Sequence, residues 1–147
     1  MLEEHKYKGS IDTFIKNFVH RTKRARIGDR VYRSGMHGVL HDLHNYLDER
    51  WISHPSPRTG GLTDAEHTLR ILEERGATSK CLAFDHPLGD DRSAYERIGI
   101  ENLSSCLDNA YVNDSDAILI CSPTLAFYKR EVWRLTYLSC YILFRDR

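Results

Sequence analysis

Residues 116–123 read DAILICSP, and this stretch decides the fold that the sequence predicts. Five apolar residues follow one another from Ala117 to Cys121, and Ser122 and Pro123 end the run. An uninterrupted apolar run between turn residues is typical of a strand that is covered on both faces. Strands of this kind are most common in parallel sheets, because the crossover helices of such sheets cover both faces. The stretch therefore predicts a buried parallel strand.

From residue 51 onward, short apolar runs alternate with segments of helical pattern. The first helical segment has clear end signals, since Thr63 and Glu66 form a capping box and Gly76 follows the last turn. Alternating strands and helices indicate βαβ units with right-handed crossovers. The predicted fold class is therefore α/β, with a parallel, flavodoxin-like sheet of about four to five strands and helices on both faces. The predicted elements are strand 51–53, helix 63–76, strand 80–85, helix 100–113, strand 116–123, a helix around 128–135 and strand 138–144.

The first 50 residues form a separate helical segment in this prediction. An amphipathic helix begins after Ser10, because apolar residues recur at helical spacing on one face. The stretch RVYRSG at 30–35 predicts a short strand, and 38–50 predicts a second helix. The predicted domains are thus a helical segment at 1–50 and an α/β domain at 51–147. The apolar face of the first helix consists of Ile11, Phe14, Ile15, Phe18 and Val19.

The composition argues against a nucleic-acid or membrane partner. The chain has 147 residues, of which 21 are basic and 21 are acidic, so no overall field attracts a polyanion. No apolar run approaches the roughly 20 residues that span a bilayer. Residues 1–10 carry acidic side chains in place of the apolar core of a secretory signal. The four cysteines are widely spaced and are predicted to be reduced thiols, so the expected location is the cytoplasm.

Polar residues follow three of the predicted strands, at the point where each strand ends. They are Ser53 and His54 after the first strand, Asp85 and His86 after the second, and Ser122 after the third. Ligands of open parallel sheets bind beyond the carboxyl ends of the strands. These five side chains are therefore expected to line one ligand-binding crevice.

Five short motifs follow one another in the last two thirds of the chain. They are WISH at 51–54, DAEHTLRILEERG at 64–76, KCLAFDHPLGDDRSAYERIG at 80–99, VNDSDAILICSP at 112–123 and FYKRE at 127–131. Their order resembles that of the Toll/interleukin receptor (TIR) domain family, in which the last motif reads W-C-x-x-E. Phe127 and Tyr128 stand where the family has tryptophan and cysteine, and Glu131 stands at the glutamate. The resemblance covers residues 50–147.

The resemblance implies that the chain cleaves NAD at the nicotinamide–ribose bond. Glu131 would be the catalytic carboxylate, since a carboxylate near the ribose stabilises the oxocarbenium-like cation that forms as nicotinamide leaves. Phe127, one helical turn earlier, would stack on a flat ring, and Ser53, His54 and the loop 87–92 would shape the pocket. NAD or a related nucleotide is then the substrate, with no cofactor and no metal. The implied setting is immune-type signalling by copies that self-associate with other TIR-like domains.

A non-catalytic module is the first alternative. A TIR-like protein-interaction module would self-associate, with the segment 86–99 as its contact. The position of Glu131 distinguishes the two functions. A Glu131 that points into a pocket with Ser53 and Phe127 favours the enzyme, whereas a carboxylate in solvent favours the module.

A nucleoside deoxyribosyltransferase-like enzyme is the second alternative. That family pairs a strand resembling DAIL with a following glutamate, and it would use the stretch 30–35 as its first strand. The two enzymes differ in which segment, 51–53 or 30–33, lies beside the strand at 116–122.

Three histidines form a further cluster in the sequence. His37, His41 and His44 lie at positions i, i+4 and i+7, which places them on one face of the predicted helix. Imidazoles at this spacing can share a transition metal. The same pattern also describes an exposed polar face opposite the leucines of the segment, and this second interpretation is favoured.

Overall fold

The computed structural model describes residues 6–55, 62–91, 93–131 and 137–145. Among these residues, no helix combines the length and the apolar character that crossing a membrane requires. Short 3-10 turns cover much of the chain between the second helix and the first strand. The helices and strands are α1 (Lys8–Phe18), α2 (Arg24–Ser34), β1 (Ile52–Ser53), α3 (Asp64–Glu74), β2 (Lys80–Asp85), β3 (Arg97–Asn102), α4 (Leu103–Val112), β4 (Ala117–Ser122), β5 (Leu125–Lys129) and β6 (Cys140–Phe144).

The six strands form one sheet in the order β1-β6-β5-β4-β2-β3. Every neighbouring pair in this order is antiparallel. The predicted parallel, flavodoxin-like sheet is therefore wrong. Helices do lie on both faces, because α1 and α2 pack on one face and α3 and α4 on the other.

The apolar run in β4 explains why the predicted strand direction is wrong. Ile118 and Ile120 belong to the core between the sheet and the α1/α2 side, whereas Ala117 and Leu119 belong to the core on the α3/α4 side. Successive side chains of a strand point to opposite faces, so a strand with two covered faces is apolar throughout. The pattern reports that both faces are covered, and it carries no information on strand direction. Here an antiparallel sheet is covered twice.

The described residues include two strands that were not predicted from the sequence, β3 and β5. The second replaces the start of the helix predicted around 128–135, of which residues 132–136 lie outside the described part. Only Pro123 and Thr124 separate β4 from β5. Two residues suffice for a hairpin, whereas a parallel pair needs a crossover of a dozen residues or more. This tight connection makes the centre of the sheet antiparallel.

The helices of the amino-terminal part have other boundaries than the predicted ones. α1 buries the predicted apolar face against the sheet. α2 covers the stretch predicted as a strand at 30–35, because Ile27 and Val31 lie one helical turn apart and turn inward. Gly35 then ends α2 with a positive φ of 78°. The segment 38–50 forms 3-10 turns in place of the predicted helix.

Candidate functional site

Five of the predicted site residues lie at one end of the sheet, although the sheet is not parallel. Carboxyl ends alternate between the two ends of an antiparallel sheet, and β1, β5 and β2 occupy every second place in the strand order. Their carboxyl ends therefore lie at the same end of the sheet. We call it the polar end; it carries Ser53, His54, Asp85, His86 and Glu131.

At the polar end, His54 fastens the short edge strand β1 to its neighbour. Its Nδ1 lies 2.8 Å from the backbone oxygen of Cys140, and its ring lies 5.0 Å from the ring of Tyr141. A carbonyl oxygen only accepts, so Nδ1 carries the hydrogen. Ser53 is exposed and pairs with Ile142 across the β1–β6 ladder. The contacts of Ser53 and His54 are those of residues at the end of a strand.

Asp85 is fully buried and is held in an ion pair. Arg97, its cross-strand partner on β3, donates from Nε at 3.0 Å and from Nη2 at 2.8 Å to the two carboxylate oxygens. These hydrogen bonds raise the pKa of Arg97 above its ordinary value. Nη2 also lies 3.5 Å from Sγ of Cys106 on α4. Both carboxylate oxygens of Asp85 therefore accept hydrogen bonds that stabilise the contact between β2 and β3.

His86 joins a polar cluster with His37 and Asp116. Its Nδ1 lies 3.3 Å from the backbone oxygen of Asp116, and its ring lies 4.9 Å from the ring of His37. His37 in turn donates from Nε2 to the backbone oxygen of Asp85 at 3.0 Å. These contacts connect the 3-10 turn at 36–38 to the ends of β2 and β4.

Glu131 is exposed and follows β5; it does not stand on a helix. Its backbone N–H donates to Oδ1 of the buried Asp116 at 2.5 Å. Phe127 is fully buried in the core on the α3/α4 side, where its ring lies 5.9 Å from the ring of Tyr111. Strand β6 separates β5, which Glu131 follows, from β1, which ends at Ser53. The two strands therefore lie about 10 Å apart. The structure does not bring Glu131, Phe127 and Ser53 together.

Ser122 lies at the opposite end of the sheet from the polar end. Its Oγ accepts a hydrogen bond from the backbone N–H of Thr124 at 3.3 Å, within the β4–β5 turn. It also lines an open groove of about 640 Å³ between the start of α1 and the sheet. Lys80 of β2 and Ile100 of β3 line the same groove.

The histidine cluster predicted at 37–44 is split between separate 3-10 turns. His41 is exposed. His44 is half-buried, and this burial, together with the nearby charge of Arg130, lowers its pKa. Within the described ranges, no group of three histidine, cysteine, aspartate or glutamate side chains is placed to hold a metal ion. The helical spacing assumed for this cluster does not occur.

Strand β3 forms a second candidate site, at the edge of the sheet. It pairs with β2 over six residues, and the strand order ends with it. Ile100 is 57% exposed, although its partner Leu82 is buried. Leu88 and Tyr95, in the loop before β3, are 52% and 50% exposed. We call β3 together with these two loop residues the edge surface.

The sequence held a signal for this strand that the prediction did not use. RIGIE at 97–101 alternates polar or small residues with isoleucine, and both features favour a strand with one apolar face. The predicted contact segment 86–99 nevertheless contains the loop and half of β3.

The motifs that resemble the TIR family occupy a different architecture from the one they implied. FYKRE at 127–131 contributes most of its residues to β5 in place of a helix. Neither 51–53 nor 30–33 lies beside β4, whose neighbours are β2 and β5. The family assignment stays a prediction. No model of a known protein family, no curated protein and no solved structure matches this chain.

Proposed function

We propose that this chain is a protein-interaction module that self-associates through the edge surface. One observation carries the proposal: β3 ends the sheet with an apolar side chain exposed beside an outer backbone edge that no other described strand pairs. An edge strand presents a row of N–H and C=O groups that can pair with a strand of another chain. Main-chain hydrogen bonds then supply affinity, and the alternating side chains supply specificity.

The two edges of the sheet differ in how they are protected. β1 is two residues long, and short edge strands are a common protection against unwanted pairing. β3 has six residues, contains neither proline nor lysine, and keeps one regular register with β2 from Arg97 to Asn102. Bulges and prolines are two of the devices that block an edge. β3 has neither, which favours a strand that can pair with another strand.

The surroundings of Glu131 favour the module over the enzyme. Its side chain is exposed, whereas Phe127, the aromatic residue of the same family motif, is buried in the core on the α3/α4 side. Asp85, a predicted substrate ligand, is occupied by Arg97. A carboxylate that stabilises a ribosyl cation would have to face an enclosed pocket.

The first test is the effect of Ile100→Lys on assembly. Sedimentation velocity over a concentration series is expected to show reversible association of the wild type. The variant is expected to raise the dissociation constant by at least about tenfold, equal to about 1.4 kcal/mol, because a charge replaces an apolar contact. Val112→Lys is the matched control, since Val112 is 77% exposed at the end of α4 and should leave association unchanged.

Two results of this test would contradict the proposal. The first is a wild type that stays monomeric at about 1 mM, a concentration at which an association free energy of about 4 kcal/mol would be detected. Alternatively, Ile100→Lys and Val112→Lys would weaken association equally, which would place the contact elsewhere. Circular dichroism of both variants establishes that they are folded.

Cleavage of NAD is the second candidate, favoured by the five predicted site residues that share the polar end. If the chain is the proposed interaction module, concentrated wild-type protein is expected to release no nicotinamide from NAD. Chromatographic detection of nicotinamide tests this, with Glu131→Ala and the exposed Glu49→Ala as a matched pair. Release that is lost in Glu131→Ala and kept in Glu49→Ala would replace the module by the enzyme.

A further inference from the structure

The central residues of β3 have a sequence that is symmetric about Gly99. They read Arg97-Ile98-Gly99-Ile100-Glu101, with an isoleucine on each side of the glycine and opposite charges beyond. Antiparallel pairing of two identical strands about a two-fold axis brings residues at equal distances from the axis opposite each other. An axis at Gly99 therefore brings Ile98 opposite Ile100, and Arg97 opposite Glu101, twice each.

The two kinds of contact fall on different faces of the sheet. Ile98 and Ile100 are the cross-strand partners of Phe84 and Leu82, which belong to the core on the α1/α2 side. Side chains alternate along a strand, so Arg97 and Glu101 lie on the other face. A two-fold axis perpendicular to the sheet keeps each face continuous across the pair. Apolar contacts then lie on one face and ion pairs on the other.

Within one copy, the charged side chains already lean toward each other over Gly99. Nη1 of Arg97 lies 3.8 Å from Oε1 of Glu101, and a Cβ built on Gly99 would lie 3.4 Å from Oε2 of Glu101. The Nε and Nη2 atoms of Arg97 are directed at Asp85, which leaves Nη1 for this contact. Residues directly opposite across two strands have Cβ atoms about 4.5–5.5 Å apart, whereas residues four apart along a strand are separated by about 13 Å. In such a pair the Cβ atoms of Arg97 and of the facing Glu101 are therefore closer than those of the same two residues within one copy.

We propose that two copies pair antiparallel through β3, with the two-fold axis at Gly99, so that one sheet continues across both copies. The proposal rests on the proposed function and adds the register and the symmetry of the contact. Moving the axis by one residue breaks the match: an axis at Ile98 brings Glu96 opposite Ile100, and an axis at Ile100 brings Ile98 opposite Asn102. The cross-strand ion pairs and the paired isoleucines occur together in the Gly99-centred register.

A charge reversal tests the ion pairs. Glu101→Arg places like charges opposite each other at two points of the dimer, and the dissociation constant is expected to rise by at least about tenfold. Glu96→Arg makes the same charge change on an exposed residue outside the symmetric stretch, and is expected to shift it by less than about threefold. Equal effects of the two variants would overturn the register.

Cysteine cross-linking tests the position of the axis. Gly99→Cys brings its two thiols together on the axis, so mild oxidation is expected to give a covalent dimer on a non-reducing gel. A mixture of Ile98→Cys and Ile100→Cys is expected to give the mixed dimer, whereas neither variant alone cross-links efficiently. The wild type, which contains Cys81, Cys106, Cys121 and Cys140, measures the background.

The outcomes separate this proposal from the proposed function. If the wild type associates and Ile100→Lys dissociates it, while Gly99→Cys stays monomeric on the gel, the edge surface is the contact and the register is wrong. If the wild type is monomeric throughout, both proposals fail. Cross-linking of Gly99→Cys together with the loss of affinity in Glu101→Arg establishes both.

Discussion

Replacing Arg97 with methionine is expected to lower the free energy of unfolding by about 3–5 kcal/mol, the largest effect among the changes considered. The loss of stability arises because Asp85 keeps its charge and loses its ion-pair partner. Asp85 is 1% exposed, and its two oxygens accept hydrogen bonds from Nε and Nη2 of the arginine. Methionine keeps much of the side-chain volume but leaves a buried carboxylate without a counter-charge. Urea unfolding at a protein concentration below the association range measures the change.

A double variant separates the charge from the packing. Asp85→Leu combined with Arg97→Met removes both charges, and it is expected to be more stable than Arg97→Met alone because no unpaired ion remains buried. Arg33→Met is the matched surface control. Its ion pair with Asp29 is exposed, so the loss should stay below about 0.5 kcal/mol. A single variant as stable as this control would show that the buried pair contributes little.

Replacing Lys129 with methionine is expected to lower the free energy of unfolding by about 2–4 kcal/mol. Lys129 is 1% exposed on β5, and its Nζ donates to the backbone oxygens of Ala110 and Asn113, both at 2.6 Å. These carbonyls lie at the end of α4, where a cation also interacts favourably with the helix dipole. Methionine supplies no donor, so two carbonyl oxygens lose their partner. Lys80→Met, on the exposed end of β2, is the matched control and should change stability by less than about 0.5 kcal/mol.

The pH dependence of the same variant gives an independent check. Burial lowers the pKa of Lys129 from its ordinary 10.5. Between the lowered pKa and 10.5 the unfolded chain binds the proton more tightly than the native protein, so stability rises with pH in this window. A neutral amine still has two N–H groups for the two carbonyls. The stability difference between the wild type and Lys129→Met should therefore grow as the pH rises toward 10.5, and a constant difference would contradict the pKa shift.

Local signals in the sequence were sufficient for elements whose ends are marked by neighbouring residues. β2 has the predicted bounds, and α3 begins with the predicted capping box of Thr63 and Glu66. β4 and β6 differ from the prediction by one or two residues at an end. In each case the residues that set the bounds of the helix or strand lie in that element or directly beside it in the sequence.

Strand direction and the partners of polar residues could not be predicted in the same way. The residues of β5 are all buried, and a fully buried pentapeptide carries no period that distinguishes a strand from a helix. Asp85 resembled a ligand because it ends an apolar run. Its partner, Arg97, lies twelve residues along the chain and becomes its neighbour only through the β2–β3 hairpin. The prediction of a crevice at the strand ends depended on these pairings.

The unequal lengths of the two outermost strands limit how large an assembly can become. β1 offers two residues, too few to hold another sheet, whereas β3 offers six. In the proposed pair, the symmetric contact occupies β3 of both copies. Assembly through β3 would then stop at two copies, because the other outer strand among the described residues, β1, is too short to continue the addition of sheets.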